Sequence, residues 1–242
     1  MRSFENSIFC ALDTTDLEWA VSLAHELRGH VGGVKLGMEF FYAHGRDGYG
    51  RVAEAGLPIF LDLKLHDIPN TVAGGLRGLA PLKPAIVNVH AGGGAAMMRA
   101  AADVAATAPG GLTVIAVTIL TSLDAGDLEQ IGFRTEGGGD VTETHARKLA
   151  TLTQACGLNG VVCSSHDLTG IRADLGPDFL TVVPGIRPAS DQAQDQKRIA
   201  TPSWAVKNGA DILVIGRSIT RADDPVAAAD AIAAECRDAG KD

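Results

Sequence analysis

Short apolar runs alternate with segments of helical periodicity or composition along nearly the whole chain. The runs predicted as strands are residues 7–13, 32–37, 58–65, 85–90, 112–118, 160–164, 179–185 and 212–218. The predicted helices between them include 16–28, 71–79, 94–107, 142–156, 202–208 and 224–239. Eight strand–helix units in 242 residues predict an α/β protein, a single-domain (β/α)8 TIM barrel over residues 1–242. A doubly wound open sheet is the main alternative.

Two connections are long for strand–helix units. Residues 121–140 are rich in glycine, and residues 187–199 are polar, with Gln192, Gln194 and Gln196 among them. The second connection follows the seventh predicted strand, at the end of a barrel where active sites lie. We therefore expect it to form a mobile lid over a bound substrate.

The third predicted strand carries two charges inside an apolar run. Asp62 and Lys64 are two residues apart, so their side chains project from one face, whereas the interleaved leucines project from the other, toward covering helices. Burying both charges is costly unless they contact each other or a ligand. A structural ion pair would meet this requirement. However, Asp67 adds a third charge at the strand's end, where α/β proteins keep their active sites, and we therefore favour a catalytic role.

In a barrel, the carboxyl ends of the strands converge on one mouth. The charged or polar residues predicted there are Asp13, Lys35, Asp62, Lys64, Asp67, His90, Thr121, Arg187 and Arg217. Carboxylates and ammonium groups that alternate at one mouth keep one another ionised, because each favours the charged form of its neighbour. Each residue alone has an ordinary structural explanation, and His90 is more simply interpreted as a hydrogen-bonded structural histidine than as a base.

A second signal lies in the eighth unit, where Gly216 and Arg217 follow an apolar strand. Glycine lets backbone amides approach an anion closely, and arginine adds a positive charge that can make a bidentate contact with a phosphate. The segment Pro-Gly-Ile-Arg-Pro at residues 184–188 would form the opposite wall of the same site. Barrels often bind phosphate between the loops after strands seven and eight, so the pair of segments predicts a phosphorylated substrate.

Composition narrows the class of protein. The net charge of −8 argues against a nucleic-acid-binding surface, and no apolar run is long enough for a membrane span. The four cysteines lack zinc-type or redox spacing, and a reduced, cytoplasmic protein fits best. No histidine spacing predicts a metal site, and no Walker loop or serine-nucleophile motif is present. The chemistry would come from lysine and aspartate alone, or from a cofactor that leaves no motif.

Residues 60–71, Phe-Leu-Asp-Leu-Lys-Leu-His-Asp-Ile-Pro-Asn-Thr, resemble the active-site signature of the orotidine 5′-phosphate decarboxylase family. Seven further segments match that family in order, at residues 11–13, 34–37, 89–91, 120–122, 184–188, 195–198 and 215–217. The resemblance extends over nearly the whole chain. It implies decarboxylation of orotidine 5′-monophosphate to UMP, the last step of de novo UMP synthesis, by a homodimeric (β/α)8 barrel without cofactor or metal.

The resemblance also implies a role for each matching residue. The catalytic charges would be Lys35, Asp62, Lys64 and Asp67. The substrate-binding residues would be Asp13, Lys35, Asp62, Thr71, Thr121, Ser122, Arg187, Gln196, Gly216 and Arg217. Of these, Asp13 and Lys35 would hold ribose hydroxyls, Thr121 and Ser122 the pyrimidine, and Arg187, Gln196, Gly216 and Arg217 the phosphate. Asp67, Ile68 and Thr71 would reach into the site of the partner subunit.

Two alternative functions remain open at this point. Relatives that act on sugar phosphates, such as 3-keto-L-gulonate 6-phosphate decarboxylase and hexulose-phosphate synthase, share the Asp-x-Lys-x-x-Asp strand. Those enzymes require Mg²⁺ and lack the Ile-Pro-Asn-Thr continuation found here at residues 68–71. A non-catalytic nucleotide-binding barrel is the alternative from a different class, but the presence of every catalytic charge argues against it.

Overall fold

The computed structural model describes residues 6–134, 139–188 and 200–240. Its strands are β1 (Ile8–Ala11), β2 (Gly33–Gly37), β3 (Ile59–Leu65), β4 (Ile86–His90), β5 (Thr113–Val117), β6 (Gly160–Val162), β7 (Leu180–Pro184) and β8 (Ile212–Ile215). All neighbours are parallel, and β8 pairs with β1, so the sheet closes. The closed barrel confirms the predicted fold class and rules out the open sheet. That residues 1–242 form one domain stays a prediction.

Ten α-helices lie within the described part of the chain. They are α1 (Leu17–Glu26), α2 (Met38–Ala53), α3 (Pro69–Leu79), α4 (Gly94–Thr107), α5 (Ala125–Gln130), α6 (Val141–Ala155), α7 (Ser165–Leu175), α8 (Pro202–Lys207), α9 (Arg217–Thr220) and α10 (Pro225–Ala239). None of these helices has the length and apolar character needed to cross a bilayer.

Several local features differ from the sequence prediction, and helix α7, which was not among the predicted helices, is one of them. The eighth strand ends at Ile215 rather than at residue 218, because Gly216 caps a short helix that begins at Arg217. Helix α2 was not among the predicted helices, since its three glycines weaken helical propensity. The glycine-rich connection after β5 contains α5, which is packed on its own small apolar cluster around Leu128.

Two apolar layers hold the barrel together. Inside the barrel, alternate strand residues such as Phe9, Phe60 and Ile86 form a buried plug. Outside it, the other strand residues, Leu61 and Leu63 among them, pack against the helices. The alternation predicted for β3 is therefore confirmed, and it leaves Asp62 on the inner face, above the plug.

Arg172 joins elements at the closed end of the barrel, opposite the mouth. Its guanidinium donates to the carbonyl oxygens of Gly176, Phe179 and Gly209, and to Asp211 Oδ2 at 2.8 Å. Asp211 Oδ2 in turn accepts the backbone N–H of Thr181 at 2.7 Å. One side chain from α7 therefore satisfies polar groups at the starts of β7 and β8.

Replacement of Arg172 by alanine should destabilise the barrel without affecting the mouth. Loss of the guanidinium leaves the half-buried Asp211 carboxylate without its counter-ion and removes a donor from several carbonyl groups, which should lower the free energy of unfolding by about 2–3 kcal/mol. Urea unfolding followed by circular dichroism measures the change.

Arg147→Ala is the matched control, because Arg147 also makes a two-point contact with an aspartate, Asp174, but at the surface. Exposed pairs contribute little, so this variant should lose less than about 1 kcal/mol. Equal losses in the two variants would contradict the role assigned to Arg172.

Candidate active site

Four side chains at the carboxyl ends of β1, β2 and β3 form a row of alternating charge. Lys35 Nζ donates to Asp13 Oδ1 at 2.9 Å and lies 3.4 Å from Asp62 Oδ2. Lys64 Nζ donates to Asp62 Oδ1 at 2.7 Å. The order Asp13, Lys35, Asp62, Lys64 is hereafter the charge row. The barrel brings together residues as far apart in sequence as Asp13 and Lys64, as was predicted for these four from the strand ends.

The centre of the charge row is withdrawn from solvent. Lys35 and Asp62 are each only 8% exposed, whereas Asp13 and Lys64 are more accessible. Burial by itself would raise the pKa of the Asp62 carboxyl. The cations of Lys35 and Lys64, with hydrogen bonds from Lys64 and Asn88, outweigh that effect and hold this pKa below its ordinary value. Asp62 is therefore a buried carboxylate compensated on both sides by ammonium groups.

Asn88, which is fully buried on β4, was not among the residues predicted for the site. Its Nδ2 donates to Asp62 Oδ1 at 2.6 Å, and its Oδ1 accepts the backbone N–H of Lys64 at 2.7 Å. The available signal was a single amide among the apolar residues of β4. That signal does not show which residues the amide contacts, because Asp62 and Lys64 lie on another strand.

Lys64 adopts a left-handed backbone conformation, with φ of 50°, inside β3. For a residue with a Cβ this conformation costs roughly 1–2 kcal/mol. The pairing between β3 and β4 shifts between Leu61 and Leu65, so Lys64 lies in a bulge. Simple strand alternation correctly put Asp62 and Lys64 together, but it did not anticipate this irregularity.

The structure does not bring Asp67, Ile68 and Thr71 into the charge row of the same chain. They lie on the connection from β3 to α3 and its first turn, and all three are exposed. Asp67 Oδ1 accepts the backbone N–H of Ile68 at 2.7 Å. Within the described residues, no ion pair joins Asp67 to Lys35 or Lys64.

The opposite half of the mouth is a cavity of about 610 Å³. The ends of β5, β6 and β7 line it, and Thr121, Ser122, Pro184 and Gly185 are among its walls. Another wall residue, Asp167, is buried, and burial raises the pKa of its carboxyl. Hydroxyl groups and apolar side chains dominate this half, and its described walls include Asp124 and Asp167 but no lysine or arginine. The row of alternating charge therefore lies on one side of the mouth and a largely hydrogen-bonding surface on the other.

The residues predicted to bind phosphate follow β7 and β8. These two strands are paired, and Pro184 near the end of β7 lies opposite Val214 of β8. Gly216 precedes α9 and Arg217 is its first residue, with an exposed side chain. The backbone N–H of Arg187 donates to the carbonyl oxygen of Ala200 at 3.2 Å. Gln196 lies outside the described residues, as does the predicted lid beyond Pro188.

His90 behaves as a structural histidine at the edge of the site. Its Nδ1 accepts the backbone N–H of Gly92 at 3.1 Å, and its ring stacks on His66 with 5.1 Å between centroids. Burial, with the nearby His66 and Lys64, lowers the pKa of His90, which favours the neutral ring. Across the described ranges, no group of three or more His, Cys, Asp or Glu side chains could hold a metal ion.

Known proteins match this chain over nearly its full length. The family model described as orotidine 5′-phosphate decarboxylase / HUMPS family matches residues 6–232. The orotidine 5′-phosphate decarboxylase of Novosphingobium aromaticivorans is 53% identical over 229 residues, 95% of this chain and 98% of that protein. That of Paramagnetospirillum magneticum is 50% identical over 235 residues, with coverage of 95% and 98%.

A solved structure shares the fold as well. The crystal structure of orotidine 5′-phosphate decarboxylase from Lactobacillus acidophilus superposes with a TM-score of 0.83 at 36% identity. It covers 96% of this chain and 99% of its own. The sequence comparison and the fold comparison therefore both lead to proteins named orotidine 5′-phosphate decarboxylase.

The depressed pKa of Asp62 predicts how its contribution to stability depends on pH. A carboxyl group whose pKa is lower in the folded state stabilises the fold above its ordinary pKa of 3.8. That stability is lost as the pH falls through the folded-state value. Asp62→Asn should therefore unfold more easily at pH 7, by about 3 kcal/mol, because it leaves two cations near one another without the carboxylate.

The difference between wild type and Asp62→Asn should shrink as the pH falls below 3.8, because the unfolded wild-type chain then binds a proton at this carboxyl while folded Asp62 stays ionised to a lower pH. Denaturant unfolding at pH 7, 5, 4 and 3.5 measures it. Asp103→Asn on the exposed face of α4 is the control and should differ little from wild type at each pH. A difference for Asp62→Asn that stays constant down to pH 3.5 would contradict the assigned electrostatics.

Proposed function

The chain belongs to the orotidine 5′-phosphate decarboxylase / HUMPS family, and we propose that it decarboxylates orotidine 5′-monophosphate to UMP. This reaction is the last step of de novo UMP synthesis, and we propose that it proceeds here without a cofactor. The observation that carries the proposal is the charge row, in which Asp62 is buried between the ammonium groups of Lys35 and Lys64. Such a row offers charge stabilisation and a proton at one point of the mouth.

Lys64 is the proposed proton donor. Loss of CO₂ breaks the bond between C6 and the carboxyl carbon and leaves the electron pair on C6, for which the pyrimidine ring has no electron sink. An ammonium group near C6 stabilises that developing charge and then transfers a proton to it. The 2.7 Å hydrogen bond to Asp62 supports this role, because it fixes the position of the Lys64 amine within the charge row.

Asp62 is the proposed neighbour of the departing carboxylate. Its negative charge would repel the substrate's carboxylate in the ground state, and this repulsion would disappear as neutral CO₂ leaves. The lowered pKa of Asp62 supports the role, because only the ionised form exerts this repulsion.

The remaining substrate contacts follow the two halves of the mouth. Asp13 and Lys35 would hold ribose hydroxyls at the charged half, and Thr121 and Ser122 would bind the pyrimidine in the cavity on the other side. The proposed phosphate ligands are Arg187, Gln196, Gly216 and Arg217. Binding energy from the phosphate, remote from C6, would close the connection at residues 187–199 and be realised at the transition state.

The active form is proposed to be a homodimer that completes each site across the interface. Ile68 is 67% exposed on the connection after β3, and Met38 and Tyr42 are 42% and 74% exposed at the start of α2, after the neighbouring strand. Apolar side chains exposed at one end of a barrel are typical of a protein interface. Asp67 and Thr71 lie beside Ile68, so a second copy would receive them in its own mouth.

The cytoplasm is the proposed compartment. All four cysteines are free and buried, and unpaired thiols are typical of reducing compartments. The proposed partners are orotidine 5′-monophosphate, UMP and a second copy of the chain. With a net charge of −8, a nucleic acid is not among them.

A direct assay of CO₂ release from orotidine 5′-monophosphate tests the function, and Lys64→Ala tests the mechanism. The wild-type protein should be active, and treatment with EDTA should not reduce its rate. Lys64→Ala should lose at least about 10⁴-fold in kcat, because it removes the proton donor and the charge that stabilises the carbanion.

The circular dichroism spectrum and gel-filtration volume of Lys64→Ala should match those of wild type, which separates loss of chemistry from loss of fold. Wild-type decarboxylation that EDTA abolishes would favour the Mg²⁺-dependent sugar-phosphate relatives. Near-normal turnover by Lys64→Ala would rule out the mechanism.

Hybrid dimers test whether the site is shared. Lys64→Ala and Asp67→Ala chains should each be inactive as homodimers, but a mixed dimer contains one site with both native residues. With random exchange about half of the dimers are mixed, so about a quarter of wild-type activity should return. The measurement is CO₂ release after refolding an equimolar mixture.

Mass spectrometry of differently tagged chains establishes that exchange occurred. A mixture of two Lys64→Ala preparations that differ only in their tags is the control and should stay inactive. No recovery despite verified mixed dimers would show that Asp67 acts within its own chain or not at all.

A further inference from the structure

Asn88 is a fully buried polar residue on the inner face of β4. Its neighbours Val87 and Val89 face the helices, and Ile86 belongs to the plug inside the barrel. The Asn88 side chain therefore lies directly above the apolar plug and beneath the charge row. None of the roles derived above involves it.

The contacts of Asn88 permit only one orientation of its carboxamide. Asp62 Oδ1, as a carboxylate oxygen, can only accept, so the amide nitrogen must face it at 2.6 Å. The backbone N–H of Lys64 can only donate, so the amide oxygen must face it at 2.7 Å. The amide nitrogen and the amide oxygen of Asn88 thus each contact a residue of β3, Asp62 and Lys64 respectively. A flipped amide would lose both hydrogen bonds.

These bonds replace part of the regular ladder between β3 and β4. Leu61 is paired with Val87 and Leu65 with Val89, so four steps along β3 correspond to two along β4. The extra backbone is accommodated at Lys64, where φ is 50°. Asn88 lies opposite this bulge and supplies, from a side chain, an acceptor for the Lys64 N–H group.

We propose that Asn88 is a positioning residue for the decarboxylation: its carboxamide holds the Lys64 backbone in the left-handed bulge and orients the Asp62 carboxylate, which together aim the Lys64 ammonium at C6. The inference rests on the proposed function. Lys64 Nζ and Asn88 Nδ2 donate to the same oxygen of Asp62, so the carboxylate links the two effects. Asn88 acts through Asp62 and Lys64 rather than on the substrate.

Asn88→Leu removes both hydrogen bonds while keeping a similar side-chain volume. We expect kcat to fall about 100-fold, because a displacement of about 1 Å at the reacting group has an effect of that size. KM should change less than about threefold, since the proposed phosphate ligands lie after β7 and β8 and stay intact. Steady-state kinetics of CO₂ release gives the two constants separately.

Asn88→Asp adds a readout that a purely structural role would not affect. An ionised carboxylate can accept from the Lys64 N–H but repels Asp62, whereas a protonated carboxyl can accept with its carbonyl and donate with its O–H, as asparagine does. The ratio of kcat for Asn88→Asp to that of wild type should therefore rise as the pH falls. The same ratio for Asn88→Leu should stay flat.

Thr181→Val is the matched control, since Thr181 is a fully buried polar residue of β7 at the closed end of the barrel. It should lower the melting temperature and leave kcat within about twofold of wild type. If Asn88→Leu also keeps wild-type kcat, or if it loses only stability as Thr181→Val does, the positioning role is wrong.

An NMR titration of ¹³C-labelled aspartate carboxyls makes the test independent of turnover. The Asp62 carboxyl, assigned with Asp62→Asn, should titrate at a higher pH in Asn88→Leu than in wild type, because the carboxylate has lost a donor. Wild-type protein that releases no CO₂ would overturn the proposed function, and the titration would still decide whether Asn88 orients Asp62. An unchanged Asp62 titration in Asn88→Leu would by itself overturn the inference.

Discussion

The structure depends most on the compensation of one buried carboxylate. Asp62 lies near the top of an apolar plug, where an unpaired charge would be too costly to bury. Lys35 from β2, Lys64 from β3 and Asn88 from β4 each contact one of its oxygens. Three adjacent strands must therefore be in register before the charge can be buried. The contacts that stabilise the mouth are the same contacts that would perform the chemistry.

This coupling explains why the irregular backbone of β3 is retained. A regular strand would carry Lys64 in extended conformation, paired through its backbone to β4. The bulge instead releases that backbone from the ladder and gives its N–H to Asn88, which places the ammonium 2.7 Å from Asp62. Strain at a functional residue persists only when its surroundings determine it strongly. Here a fully buried side chain with both of its polar ends occupied provides that constraint.

Two kinds of surface at the mouth would contact different parts of the proposed substrate. The charged half, on β1 to β3, would stabilise the charge that develops at C6, and the cavity at the ends of β5 to β7 would offer hydrogen bonds to the neutral ring. Exposed Ile68 and Tyr42 adjoin the charged half. A second copy covering them would exclude water from the side where charge develops, and electrostatic interactions strengthen when water is excluded.

The sequence by itself determined the closed barrel and four members of the charge row. Strand periodicity puts Asp62 and Lys64 on one face, and parallel strands bring Asp13 and Lys35 to the same end, so both results follow from local pattern and general topology. Only the tertiary structure showed the contacts of Asn88 and the left-handed conformation of Lys64. Each of these depends on the register between strands or on a contact between distant segments, and no local pattern encodes such a distance. The short helix at Arg217 was missed for a related reason, since a strand's last residue is set by its neighbour's pairing rather than by its own side chains.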